Sequence, residues 1–167
     1  MDYQFIDLTD ADLIPYQAFL TTGLRDHANA FRLSVGDEAG ASFPTRGTAN
    51  SFTMAATNTT TGRYLGVVSF ARDDDIREKL RHKGLLFRMY VSAESAGKGV
   101  GRALVQAVID RARVLPGMEQ INLTVVASNE RAVRLYASVG FATFSREERA
   151  IKYNDQYFDE LTMALRL

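Results

Sequence analysis

Apolar and polar positions alternate most regularly in the second half of the chain. Residues 84–92 (GLLFRMYVS) are apolar on both faces except at Arg88, the pattern of a strand deep in a sheet. From about 99 to 115, Val100, Leu104, Val108 and Ala112 recur at helical spacing with Ala103 and Ala107 beside them, and Pro116-Gly117 ends the run. Residues 119–126 (EQINLTVV) alternate as a strand with Ile121, Leu123 and Val125 on one face. A helix follows from about 129 to 139, stopped by Gly140, and residues 141–149 and 156–166 read as two closing strands. In the first half, residues 3–8 form a short strand, and a helix opens at Asp10 with Leu13, Ala18 and Leu20 as its apolar residues. Gly23 breaks it, and residues 24–35 predict a second helix. Residues 36–49, with Pro44 and three glycines, read as a loop. Residues 50–57 and 63–71 are strands around a Thr59-Thr60-Thr61-Gly62 turn, and the polar stretch 72–83, with Asp73, Asp74 and Asp75, has room for a short helix. The pattern predicts one mixed α/β domain over residues 1–167, with about seven strands and four helices.

Between the best strand and the best helix lies Ala96-Gly97-Lys98-Gly99-Val100-Gly101-Arg102. Glycines let the backbone turn sharply and approach a ligand closely. The first N–H groups of a helix lack internal partners and carry partial positive charge, so the segment forms an anion cradle suited to a pyrophosphate. Lys98 and Arg102 add charge. The competing reading is a strand-to-helix turn with no ligand. A dinucleotide fingerprint fails on spacing: counting from Gly97 and Gly99 its third glycine falls on Arg102, and counting from Gly99 and Gly101 it falls on Leu104. A P-loop fails for want of Gly-Lys-Ser/Thr.

Tyr90-Val91-Ser92 followed by Gly97-Lys98-Gly99-Val100-Gly101-Arg102-Ala103-Leu104 resembles the acyl-CoA signature of the GNAT acetyltransferases, where Gln or Arg, two residues, Gly, one residue, then Gly or Ala occur in order. The Gln or Arg position is Ala96 here. A second family segment resembles Asn129-Glu130-Arg131-Ala132-Val133-Arg134-Leu135-Tyr136 with Gly140-Phe141, and a closing one Tyr157-Phe158-Asp159-Glu160-Leu161-Thr162-Met163. The resemblance covers about residues 84–167; the first half fits only in its order of elements. It implies a GNAT fold, a mixed and mostly antiparallel seven-stranded sheet flanked by about four helices. Residues 1–83 would form the acceptor-side half and 84–167 the acyl-CoA-binding half. It further implies that strands 84–92 and 119–126 splay apart to admit the pantetheine arm. The backbone of Met89, Tyr90 and Val91 would hydrogen-bond that arm, and an N–H there would polarise the thioester carbonyl. By the same resemblance Gly97, Lys98, Gly99, Val100, Gly101 and Arg102 hold the pyrophosphate, Asn129 contacts the pantetheine, and Tyr136 protonates the departing sulfur.

Asn129 and Tyr136 are seven apart and share a helix face, with Ala132 between them leaving room for a ligand. A phenol near its ordinary pKa of ~10 keeps its proton at neutral pH, and a thiolate leaving group needs one. Without the resemblance, Asn129 reads first as a helix cap and Tyr136 as a core aromatic.

An attacking amine must lose a proton. Many relatives carry a glutamate early in the strand, where this chain has Leu85 and Leu86; Asp75, Glu78 and His82 are the alternatives, with ordered water. Arg88, a charge inside an apolar strand, needs either an internal carboxylate or an acidic group on the acceptor. The acceptor surface falls on about residues 20–48, with Arg25, His27, Phe31, Arg32 and Phe43 available, and no residue there names the acceptor.

Composition narrows the classes. Lys plus Arg equals Asp plus Glu at 20 each, which argues against a nucleic acid partner. No cysteine is present, so disulfides, thiolate metal sites and a cysteine nucleophile are excluded. The start, Met1-Asp2-Tyr3-Gln4-Phe5, lacks a signal-peptide pattern, and no apolar run nears the ~18 residues that cross a bilayer, so the expectation is a cytoplasmic protein with no membrane partner. No Gly-x-Ser-x-Gly elbow offers an acyl-enzyme nucleophile. The sequence therefore points to direct acetyl transfer from acetyl-CoA to a primary amine, without a metal and with a homodimer left open. A non-catalytic acyl-CoA-binding regulatory module is the alternative.

Overall fold

The computed structural model describes residues 2–73 and 76–167. Seven strands form one sheet: β1 (Tyr3–Leu8), β2 (Ser51–Asn58), β3 (Tyr64–Arg72), β4 (Lys83–Val91), β5 (Gln120–Val126), β6 (Ala142–Tyr153) and β7 (Gln156–Arg166). Their order is β1-β2-β3-β4-β5-β7-β6. Every neighbouring pair is antiparallel except β4 and β5, which run parallel. The helices are α1 (Leu13–Asp26), α2 (Val35–Glu38), α3 (Val100–Arg113) and α4 (Glu130–Ser138).

Two apolar layers sandwich the sheet. Leu104, Val105, Val108 and Ile109 of α3 and Tyr136 of α4 pack on one face with Phe52, Val68, Phe70, Leu86, Ile121 and Leu123. On the other face Tyr16, Leu20 and Leu24 of α1 meet Ala55, Val67 and Tyr90. Each fully buried large side chain contributes about 1.5–3 kcal/mol, so this alternation fixes the register of the strands.

The strands, α3 and α4 fall where the periodicity puts them, but residues 24–35 do not form a second helix. Helix α1 runs through Gly23 to Asp26, a single 3-10 turn covers Ala28–Ala30, and Phe31 is extended. Gly23 is a packing residue: a Cβ there would lie 2.5 Å from Cδ2 of Tyr90. Its missing side chain lets α1 sit against the sheet, which outweighs the helix-propensity cost of glycine. Beyond it, Phe31 and Leu33 turn towards the α1-side core instead of continuing a helix. The short α2 straddles the end of the 24–35 run and the start of the stretch read as loop. It starts at Ser34, whose hydroxyl accepts from the Asp37 N–H at 3.1 Å while Asp37 accepts from the Ser34 N–H at 2.8 Å. The described part of the 73–82 stretch forms a turn, with Leu80 N–H donating to Arg77 O at 2.9 Å. Strand β6 runs past 149 into a tight Asn154-Asp155 hairpin with both φ positive.

Two irregularities shape the centre of the sheet. β4 pairs with β5 only from Lys83↔Gln120 to Leu85↔Asn122, after which the strands part. On its other side β4 pairs Val67↔Tyr90 and Ser69↔Phe87, so Arg88 and Met89 together oppose Val68. This is a β-bulge, and Arg88 takes φ +49° in it. A left-handed conformation costs a non-glycine residue roughly 1–2 kcal/mol, which the surroundings must offset.

Candidate active site

The parted ends of β4 and β5 open a cleft of about 360 Å³. Its wall includes Met89, Tyr90 and Val91 of β4, Gly97, Gly99, Gly101 and Arg102 of the glycine segment, and Asn129, Ala132 and Tyr136 around α4. Two residues of the expected set stand apart. Lys98 is exposed and outside the lining, and the Val100 side chain is buried in the core, which leaves only its backbone for a ligand.

The glycine segment folds as its composition requires. Gly97 and Gly99 take φ of +77° and +82°, with nothing within 4 Å of where a Cβ would stand. The first α-helical hydrogen bond of α3 is Ala103 N–H to Gly99 O at 3.0 Å, so the N–H groups of Val100, Gly101 and Arg102 precede the ladder. A Gly101 Cβ would meet Met89 Cε at 3.2 Å and Val91 Cγ2 at 3.3 Å, so that glycine brings α3 against β4. Arg102 donates from Nη1 to Ser138 Oγ at 3.2 Å. Asn129 caps α4, its Oδ1 accepting from the Ala132 N–H at 3.2 Å; the cap leaves its amide NH2 for a ligand, so the two readings of Asn129 are compatible.

Tyr136 is a core residue, 7% exposed, with its ring edge-on to Phe141 at 5.9 Å. Its hydroxyl donates to Met89 Sδ at 3.5 Å, a weak acceptor. Burial pushes the phenol pKa well up from its ordinary value, so the group stays protonated.

A second cavity of about 400 Å³ lies on the α1 side of β4, lined by Leu20, Phe31, Arg32, Leu33, Leu85, Leu86, Phe87, Arg88 and Thr124. Phe31, Met89 and Tyr136 line both cavities. Of the residues expected on this side, Phe31 and Arg32 line the cavity and His27 lines the cleft. Phe43 packs on Tyr16 at 5.3 Å, and Arg25 is exposed.

The base candidates do not come together here. His82 precedes β4 and its carbonyl accepts from Glu119 and Gln120 N–H, which places it roughly 25 Å of strand from the cleft. Glu78 is exposed in the turn before it, and Asp75 lies outside the described residues.

Arg88 finds an internal carboxylate. Its Nη1 lies 2.5 Å from Oε2 of Glu38, with the side chains 16% and 1% exposed. Gln17 fixes the chain around Glu38 by donating to the Glu38 and Ala41 carbonyls at 3.1 and 2.9 Å. Tyr16 is buried beside this pair, and its phenol pKa is raised by burial despite Arg88. Glu160 of β7 is a second buried carboxylate. Arg32 Nε lies 3.1 Å from it but off the hydrogen-bonding direction. Burial raises its pKa, Arg32 opposes this, and Glu147 across the strand pair adds to it. Neither glutamate was singled out from the sequence. Only the Ser34-Val-Gly-Asp37 capping pattern marks the helix that carries Glu38.

Comparison with known proteins adds an independent line. The model of the Acetyltransferase (GNAT) family matches residues 22–141. A mycothiol acetyltransferase of Propionibacterium freudenreichii subsp. shermanii is 42% identical over 67 residues, 40% of this chain and 21% of that protein. The match thus spans about a fifth of that curated relative. A GCN5-related N-acetyltransferase from Kribbella flavida superimposes with a TM-score of 0.82 at 25% identity, over 99% of this chain and 98% of that one. Arabidopsis thaliana NAA60 in complex with acetyl-CoA gives 0.74 at 18% identity, over 99% of both chains, a likeness of fold.

Proposed function

The chain belongs to the acetyltransferase (GNAT) family, and from that premise we propose that it transfers an acetyl group from acetyl-CoA directly to a primary amine. The observation that carries the reading is the sharing of Tyr136 and Met89 between two cavities. One cavity ends in a backbone anion cradle; the other opens under the acceptor-side helix.

The cleft fits the cosubstrate. Open space at Gly97 and Gly99, beside N–H groups that precede the α3 ladder, suits a pyrophosphate. Arg102 adds a cation at the wall, Lys98 acts from solvent, and Val100 and Gly101 contribute backbone N–H groups. The backbone of Met89, Tyr90 and Val91, which β5 leaves unpaired, holds the pantetheine arm with the Asn129 amide, and Ala132 leaves it room. Acetyl-CoA supplies an activated acyl group. The amine nitrogen bonds to the carbonyl carbon, the carbon–sulfur bond breaks, and Tyr136 gives its proton to the sulfur. The nitrogen loses its proton to water, and solvent reprotonates the phenolate. Residues 84–167 contribute most of both walls; residues 1–83 add Leu20, Phe31, Arg32 and Leu33 on the acceptor side and His27, Ala30 and Phe31 at the cleft.

The test is calorimetry with acetyl-CoA joined to thiol release across a panel of amines. Gly99→Glu adds bulk and negative charge to the cradle and should weaken acetyl-CoA binding at least about a hundredfold. Gly62→Glu is the control, with φ +70° in a turn outside the cleft, and should bind as the parent does. Equal affinity in the two variants would move the pyrophosphate elsewhere. Binding without thiol release for any amine would favour the regulatory module.

A further inference from the structure

The second cavity constrains the acceptor. Its wall is apolar apart from Thr124, the Tyr136 hydroxyl and two cations, Arg32 and Arg88. Their carboxylate partners, Glu160 and Glu38, are buried and do not line it. A ligand therefore meets Arg88, 16% exposed, in a low-dielectric wall where charge acts strongly, and Arg32, 63% exposed, from the solvent side.

The bulge in β4 aims one of these cations. Leu86 packs in the α3-side core, and strand alternation would send Arg88 into that same core. The doubled position at Arg88 and Met89 instead turns Arg88 to the α1 side, where Glu38 meets it. A guanidinium carries five N–H donors. Its Nη1 donates to Glu38, and the Tyr16 hydroxyl stands close enough to take a further contact from the same guanidinium. Glu38 thus orients the fork and leaves donors for a ligand in the cavity.

Resting on the acetyltransferase reading, we propose that the acceptor is a small amino acid with an apolar side chain, its carboxylate held by Arg88. Its amine then stands beside Met89 and Tyr136, the next residue along β4 and the residue that Met89 touches. Leu20, Leu33 and Phe87 receive the apolar body. A polyamine would bring a second positive charge against Arg88 and Arg32 and is disfavoured.

Two matched pairs test this: leucine against isoamylamine, and phenylalanine against 2-phenylethylamine, with spermidine as the dication. Within each pair the amine and the apolar body are the same and only the carboxylate differs. In thiol-release assays the amino acid of at least one pair should exceed its decarboxylated partner about tenfold or more in kcat/KM, the scale of a charge-assisted contact. Arg88→Met should bring that ratio close to one, and Arg88→Lys should keep part of it. Circular dichroism and acetyl-CoA calorimetry check that each variant folds; if Arg88→Met does not, the parent ratio and Arg88→Lys decide. A parent ratio at or below one, spermidine as the best acceptor, no turnover of any of the five, or a ratio that survives Arg88→Met overturns the proposal. A parent that binds no acetyl-CoA overturns the acetyltransferase reading itself, a distinct outcome.

Discussion

Replacing Tyr136 by phenylalanine removes one oxygen and leaves the ring. The ring's contact with Phe141 at 5.9 Å and its place in the α3-side core are kept. The lost hydroxyl has Met89 Sδ, at 3.5 Å, as its hydrogen-bond acceptor. Deleting a donor that serves only a thioether should change stability by no more than about 1 kcal/mol. The catalytic effect should be far larger. Without a positioned proton the CoA thiolate must leave as an anion, and loss of a general acid typically lowers kcat by about 10²–10⁴-fold. That corresponds to about 2.7–5.5 kcal/mol in the barrier. Acetyl-CoA affinity should stay within about threefold, because the proton moves in the transition state and contributes little to ground-state binding. The assay is thiol release at equal folded concentration with saturating acetyl-CoA and an acceptor turned over by the parent. Burial keeps the phenol protonated, so the parent should show no alkaline loss of kcat from this group below about pH 10. A kcat within threefold of the parent would return Tyr136 to a purely packing role and leave water as the proton donor.

Two further outcomes concern stability. Gly23→Ala should destabilise the fold by about 1–3 kcal/mol in urea titration despite alanine's better helix propensity, because the new Cβ would strike the Tyr90 ring, which Phe19 backs at 5.0 Å; a stabilised variant would show that the ring moves freely. In alkali, the unfolded chain releases the Tyr136 proton near the ordinary value of 10.0 while the folded chain retains it, so this contribution is complete below pH 10 and lost as pH rises towards the raised folded value. The melting temperature should therefore fall less steeply above pH 10 in Tyr136→Phe than in the parent, and parallel slopes would refute the assignment.

The cleft beside the glycine segment was legible in the sequence because it is built from local features. Three glycines at 97, 99 and 101 mark the turn, the periodicity of α3 marks the helix whose N–H groups line it, and the spacing of Asn129 and Tyr136 places both on the wall. Each of these depends on residues within a few positions of one another. The α1 side of the sheet depends on contacts between elements far apart in the chain. Gly23 reads as a helix breaker until Tyr90, from β4, is seen lying against it. Phe31 and Leu33 fall in the run that reads as a second helix, yet their burial against α1 draws them into a non-helical segment that starts with Phe31 extended. Arg88 was recognisable as a charge in need of a partner, but its partner comes from position 38, in a stretch that reads as loop, and its direction comes from a bulge. That bulge is invisible to a two-residue period, since GLLFRMYVS alternates no differently with or without a doubled position. The register with β3 reveals it, and the same doubled position turns Arg88 out of the α3-side core and into the wall of the second cavity. Under the acceptor proposal the backbone distortion at Arg88 bears on selection, and replacing that arginine is the substitution that separates selection from the proposed transfer chemistry at Tyr136.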